Sequence, residues 1–284
     1  MTAMSGSGGV WVFSEVHDLA LELVGKGREL ADKLGVELSA IVIGNDVAGK
    51  ADELVKSGAG KVFLVDNPGL ERFEAEAYLA VVQDLVLKNQ PSVLLVGSTR
   101  NGKPLAARLA TRVDAGCVPD CIRLSVDDGK RLVGERITYG GNAIAKIVFK
   151  SKLQVATIPL RAFEKPERND HNGQVVKVEF NAVPARVEVV ERKPLELSSV
   201  RIEEAQIIVS VGRGLEKKDD VALVQDLANV LGGQVGCSRP LVEDRKWFSD
   251  WIGLSGHKVK PKLYIACGVS GVIQHVAVIR DSKI

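Results

Sequence analysis

A surplus of either charge is the first thing missing from this chain. Its 38 basic and 36 acidic residues, in 284, leave a formal net charge of +2. That balance excludes the electrostatic footprint of a nucleic-acid-binding protein. No apolar run approaches the length of a membrane span. The Gly/Ser-rich start, Ser5 to Gly9, lacks a basic segment followed by an apolar core, so it does not read as a secretory signal. These absences point to a soluble, cytoplasmic protein. Cysteine is scarce as well, with residues at 117, 121, 237 and 267 only, which excludes a disulfide scaffold in a chain this long. Cys117 and Cys121 have no second pair at metal-ligand spacing and His171 is distant in sequence, so the thiols read as small buried hydrophobes and no metal is assigned.

What is present is core-forming material. A hydrophobic content of 45% over this length supports two domains. In the first half, short apolar runs alternate with amphipathic stretches. Strands are predicted at Val10–Phe13, Leu38–Ile43, Lys61–Val65 and Ser92–Val96, and helices at Asp18–Leu34, Asp46–Lys56, Glu71–Lys88 and Lys103–Val113. This alternation implies a parallel sheet covered on both faces. From Leu132 the pattern changes to strands, at Arg136–Thr138, Ala143–Phe149 and Gln154–Ile158, around the turn Tyr139-Gly140-Gly141-Asn142. Residues 161–173 are charged and read as a loop, with strands again at Gln174–Phe180 and Ala185–Val190. The expected division is an N-terminal α/β domain over residues 1–190, a linker over 191–204, and a second α/β domain over 205–284.

The second half restarts with a strand at Gln206–Val211 that ends in Gly212-Arg213-Gly214. A helix follows at Asp219–Leu231, stopped by Gly232-Gly233. A short strand, Gln234–Cys237, leads to Ser238-Arg239-Pro240. The strand Lys262–Ala266 then runs into Gly268-Val269-Ser270-Gly271 and the start of a helix at Val272-Ile273-Gln274-His275. Three strand ends finishing in small or basic residues imply one ligand crevice at their carboxyl edge. Glycine turns let backbone approach an anion, and arginine offers a donor fork suited to phosphate oxygens. Gly212-Arg213-Gly214 is not the full dinucleotide fingerprint. Gly97-Ser98-Thr99, also at a strand end, could receive a phosphate, although an ordinary helix cap is the favoured reading.

The ordered set Tyr264, Gly268, Ser270, Gly271, Gln274 and His275 resembles the C-terminal signature of the electron transfer flavoprotein alpha subunits, the FixB family. The order of Gly212-Arg213-Gly214, Ser238-Arg239-Pro240, Ile252-Gly253-Leu254-Ser255-Gly256 and Val259-Lys260-Pro261-Lys262-Leu263-Tyr264 is similar to that family's flavin domain. In the first domain, Val96 to Gly102, Gly116 to Asp120 and Tyr139 to Asn142 extend the likeness. The resemblance implies an N-terminal doubly wound, nucleotide-binding-like domain without a cofactor of its own, and a Rossmann-like second domain that binds FAD under a beta subunit. It places Arg213 and Ser238 at the pyrophosphate end and Arg239 beside the isoalloxazine ring. Ser255 is placed at flavin N5, with its neighbours Ile252, Gly253 and Leu254 in the same loop. Ser270, Gly271, Val272, Ile273 and Gln274 line the backbone turn, and His275 faces the N1/O2 edge. A cationic or donating group at that edge would offset the negative charge that reduction brings there, while the flavin itself carries the redox chemistry.

The function so implied is an electron carrier rather than a catalyst with its own substrate. It would relay electrons from flavin dehydrogenases, such as an acyl-CoA dehydrogenase, to a quinone- or ferredoxin-linked acceptor. Two departures favour a second reading, a flavin-free paralogue serving as an assembly or scaffold subunit. Val278 stands where the family usually has glycine, which would crowd a close backbone approach. Ser282-Lys283-Ile284 reads as the threshold of a strand, and the asparagine turn and last helix that follow it in the family are missing here, which reads as either a fragment of a longer product or a truncated paralogue. A third reading, an adenine-nucleotide domain, rests on Gly97-Ser98-Thr99 alone. His257 is read as solvated, and Trp247, Phe248 and Trp251 as packing a loop.

Overall fold

A computed structural model describes residues 8–167, 171–180, 191 and 202–284. The strand expected at Ala185–Val190 and residues 192–201 of the expected linker lie outside the described residues. The chain divides into two compact units, and Thr138–Ala143, within the stretch expected for the first domain, is grouped with the second.

The first unit runs β1 (Val10–Phe13), α1 (His17–Leu34), β2 (Leu38–Gly44), α2 (Ala48–Lys56), β3 (Lys61–Asp66), α3 (Ala75–Asn89), β4 (Val93–Gly97) and α4 (Gly102–Arg112). It continues through β5 (Gly116–Val118), β6 (Cys121–Val126), β7 (Leu132–Thr138), β8 (Ala143–Val148), β9 (Gln154–Ile158) and β10 (Gln174–Lys177). Seven strands form one sheet in the order β10-β3-β2-β1-β4-β9-β5, every pair parallel. β6, β7 and β8 make a separate small sheet in which β6 and β7 are antiparallel.

Period-two alternation sorts the apolar runs onto opposite faces. Val10 and Val12 of β1, Leu38, Ala40 and Val42 of β2, and Val93 and Leu95 of β4 pack with Leu19, Leu23 and Leu30 of α1 and Leu54 of α2. Trp11, Phe13, Ile41, Ile43, Leu94 and Val96 point the other way, to Leu79, Val82 and Leu85 of α3 and Leu105 and Leu109 of α4. Two cores on one sheet make the unit doubly wound. α3 starts at Ala75 rather than Glu71 because the Glu74 carboxylate accepts from the N–H groups of Glu76 (3.0 Å) and Ala77 (2.6 Å), which sets the cap there.

In the second unit β11 (Ile207–Val211), α5 (Val221–Leu231), β12 (Gln234–Cys237), α6 (Pro240–Glu243), β13 (Leu263–Cys267) and α7 (Ile273–Val276) follow one another. Their sheet has the order β12-β11-β13 and is parallel throughout. Val209 and Val211 pack with Val224 and Ala228 of α5, and with Trp247, Phe248 and Trp251 of the loop after α6. On the other face Ile208 packs with Ile252, Val259, Tyr264 and Val278. Beside β13, Ile284 donates to the Lys262 carbonyl at 3.1 Å and accepts from the Tyr264 N–H at 2.9 Å. The threshold strand read at Ser282–Ile284 thus begins to pair along β13. No helix among the described residues is long and apolar enough to cross a membrane.

Candidate functional site

In the second unit, sheet order makes the site. β11 is central, its neighbour in sequence β12 lies on one side, and β13 lies on the other. Loops leaving the carboxyl ends of β11 and β13 therefore flank a topological switch point, where open α/β sheets receive ligands. Those loops pack backbone against backbone. The Gly212 N–H donates to the Cys267 carbonyl and the Gly214 N–H to the Gly268 carbonyl, each at 2.9 Å. Gly268 has φ +64°, and a Cβ built on it would lie 2.9 Å from the Gly214 Cα. Only glycine satisfies both the left-handed backbone and that approach.

Further backbone bonds tie in the remaining loops. The Ser238 N–H donates to the Val211 carbonyl at 2.9 Å, and the Ile252 N–H to the Cys237 carbonyl at 2.8 Å. The Leu254 N–H donates to the Gln274 carbonyl at 3.2 Å. Four segments distant in sequence (212–214, 238–239, 252–255 and 268–275) thus meet at one end of the sheet. Of the residues expected there, Arg213, Arg239, Ser255, Ser270, Gly271, Val272, Ile273 and Gln274 are exposed. Ser238 and Leu254 are half-buried, and Ile252 and Gly253 are buried supports. The Arg239 guanidinium lies 2.8 Å from Glu243, whose hydrogen bond and charge raise its pKa, and 5.5 Å from the centre of the Trp251 ring.

His275 is a buried member of the set. It is only 3% exposed, with Nδ1 3.0 Å from the Ile252 carbonyl and Nε2 2.7 Å from the Tyr264 hydroxyl. Burial lowers its pKa, so the ring is neutral at pH 7. A carbonyl can only accept, so Nδ1 carries the proton and Nε2 accepts from Tyr264. Both imidazole nitrogens are engaged inside the protein, one by the aromatic hydroxyl and one by the carbonyl. Val278 is a core residue 9% exposed, packed with Ile252 and Tyr264.

The first unit's turn is used by the protein itself. Thr99 Oγ1 accepts from the Gly102 N–H at 2.7 Å, capping α4. Ser98 Oγ donates to Asp120, whose other carboxylate oxygen accepts from Lys103 Nζ at 2.9 Å. A carboxylate at this strand end opposes a phosphate.

Comparison with known proteins agrees with this geometry. Residues 10–183 match the electron transfer flavoprotein domain, and residues 201–280 match the electron transfer flavoprotein FAD-binding domain. The electron transfer flavoprotein subunit alpha of Clostridium acetobutylicum is 38% identical over 96% of this chain and 85% of its own length. Protein FixB of Rhizobium meliloti is 37% identical, covering 94% of this chain and 80% of its own. The chain belongs to the electron transfer flavoprotein alpha subunit (FixB) family. A further member, the lactate dehydrogenase (NAD(+),ferredoxin) subunit LctC of Acetobacterium woodii, is 38% identical over 95% of this chain and 65% of its own length.

FAD is the cofactor that goes with the matched second domain, and the exposed donor set fits it. Arg213 and Arg239 are two exposed cations, a type of donor that suits a pyrophosphate. The Gly214–Gly268 contact keeps side chains out of the turn, and Ser255 and Gln274 add neutral donors. Two participants escaped the sequence reading. Tyr264 was seen only as part of the signature, although its hydroxyl holds His275. His257, read as solvated, has Nδ1 hydrogen-bonded to Glu203, a partner more than fifty positions away that no local pattern reveals.

Proposed function

We propose that this chain is the FAD-carrying subunit of a heterodimeric electron transfer flavoprotein, assembled with a beta-type subunit. It takes electrons from a flavin dehydrogenase and passes them to a quinone- or ferredoxin-linked acceptor. The observation that carries the proposal is the convergence of Arg213, Arg239, Ser255 and the 268–274 turn at the switch point of the second sheet.

Bound FAD supplies the electron-accepting and electron-donating chemistry. The protein's part is to hold and bias it. Arg213 and Ser238 sit at the end of β11 and β12, where they would hold the pyrophosphate. Arg239 is a permanent cation that would favour the reduced, more negative ring. The Ser255 hydroxyl would donate to the ring nitrogen. His275 acts through the fold, joining the 252–254 loop to α7 and so fixing the turn that follows β13. The relative named as a subunit of a lactate dehydrogenase (NAD(+),ferredoxin) supports a dehydrogenase and a ferredoxin-linked acceptor as the partner classes.

The test is to co-express the chain with a beta-type subunit, isolate the complex, and add a candidate dehydrogenase with its substrate under anaerobic conditions. Bleaching of the flavin band, reversed by an added acceptor, is the expected result. A stable complex whose flavin is inert to every donor class would reject electron relay, and a stable complex without flavin would establish the scaffold reading.

A further inference from the structure

The loop that presents Ser255 is closed on itself. The His257 N–H donates to the Trp251 carbonyl at 2.8 Å, the Gly253 N–H to the His257 carbonyl at 3.1 Å, and the Gly256 N–H to the Gly253 carbonyl at 3.0 Å. The ring's apolar contacts are those of Trp251, Ile252 and Leu254, while its 255–257 end has none of them, and such loop segments open readily unless tied down. The His257 side chain supplies the tie. Its Nδ1 bonds Glu203 on the short 3-10 turn Ile202–Glu204, and its Nε2 lies 3.6 Å from Asp250 Oδ1. Two carboxylates, one from the loop's own base and one from the entry to the domain, flank one imidazole that is 27% exposed.

We propose that His257 is a positioning residue whose proton locks the Ser255 loop: as a cation between Glu203 and Asp250 it fixes residues 250–257, and its deprotonation frees them. This rests on the flavin-binding reading above for its functional consequence, while the lock itself does not. An imidazolium can donate from both nitrogens to the two carboxylates, whereas the neutral ring can donate from only one. The hydrogen bond to Glu203 raises the His257 pKa above its ordinary value, with the charges of Glu203 and Asp250 adding to it and burial opposing. The sign follows directly. The cationic lock is complete below the ordinary histidine pKa and is lost as pH rises through the raised value.

The test uses the full chain, with and without its beta-type subunit and FAD. Hydrogen exchange of the Gly253, Gly256 and His257 amides in the flavin-free chain, corrected for intrinsic rates, should show protection at pH 6 that falls by about fivefold at pH 9. His257→Gln and Glu203→Gln should lack that protection at both pH values, and His257→Lys should retain it at both, since lysine stays charged. In the complex, the FAD dissociation constant should follow the same pattern. Wild-type protection in His257→Gln would overturn the lock, as would a His257→Lys chain that exchanges like His257→Gln. A complex that binds FAD with the same pH profile in wild type and His257→Gln would overturn the link to Ser255. Failure of the wild-type complex to bind FAD at any pH would instead reject the flavin reading, and amide exchange would still decide the lock.

Discussion

Tyr264 and His275 form a buried pair: the phenol of one donates to Nε2 of the other at 2.7 Å, with the rings edge to face at 5.9 Å between centroids. β13 carries the tyrosine and α7 the histidine, so the pair brackets the Gly268–Gly271 turn between them. Burial raises the tyrosine pKa and lowers the histidine pKa, which keeps both neutral and the bond intact across the physiological range.

Replacing Tyr264 with Phe leaves Nε2 of His275 buried without a donor. We expect a loss of about 1–3 kcal/mol from the second unit. Urea unfolding followed by the fluorescence of Trp247 and Trp251, which sit in that unit, measures it. Stability equal to wild type would show that the histidine finds water or another partner.

Gly268→Ala tests the backbone contact at the switch point. The new Cβ must occupy a left-handed conformation and lie 2.9 Å from Gly214 Cα. Left-handed strain alone costs about 1 kcal/mol. The displaced turn is expected to weaken FAD binding by about tenfold or more, readable by fluorescence titration.

Ser255→Ala removes a donor without altering a buried contact, because the side chain is exposed. The complex is expected to keep its FAD and to show a lower midpoint potential, since the reduced ring loses a hydrogen bond. Spectroelectrochemical titration of wild type and variant decides this. An unchanged potential would place Ser255 outside the flavin's reach.

Glu22 offers a test of the first unit. It is 4% exposed on α1 and accepts from the Arg161 N–H at 2.7 Å, and desolvation pushes its pKa up to about 7. A folded-state pKa above the unfolded one means that the folded protein binds the extra proton between about pH 4.5 and 7. Over that window stability should fall as pH rises, by up to about 3 kcal/mol. Glu22→Gln should flatten the dependence there in thermal unfolding at matched ionic strength.

The parallel sheet of the first unit was legible because its strands are continuous apolar runs, such as Leu38–Ile43, separated by helices with one apolar face. Short or mixed elements were not. Gly116–Val118 has only three residues, and Cys121–Val126 alternates with Arg123 and Ser125 after a Pro119-Asp120 break in which Asp120 has φ +56°. In the second unit the strand ends and their glycines were legible, and so were the residues that gather around them. The hydrogen-bond partners of His275 were not, because an ordered signature names a ring without saying what holds it. They are Ile252 and Tyr264, which approach it only after the sheet and loop have folded. The loop-packing role of Trp247, Phe248 and Trp251 was readable from their clustering in one charged, helix-poor stretch, and all three pack against the second unit's core.

The measurement that bears most directly on this account is the flavin content of the chain purified with its beta-type subunit, by absorption spectrum and then by identifying the flavin released on denaturation. About one FAD per chain is the expected result. A well-folded complex that holds no flavin, even after FAD is added, would contradict it.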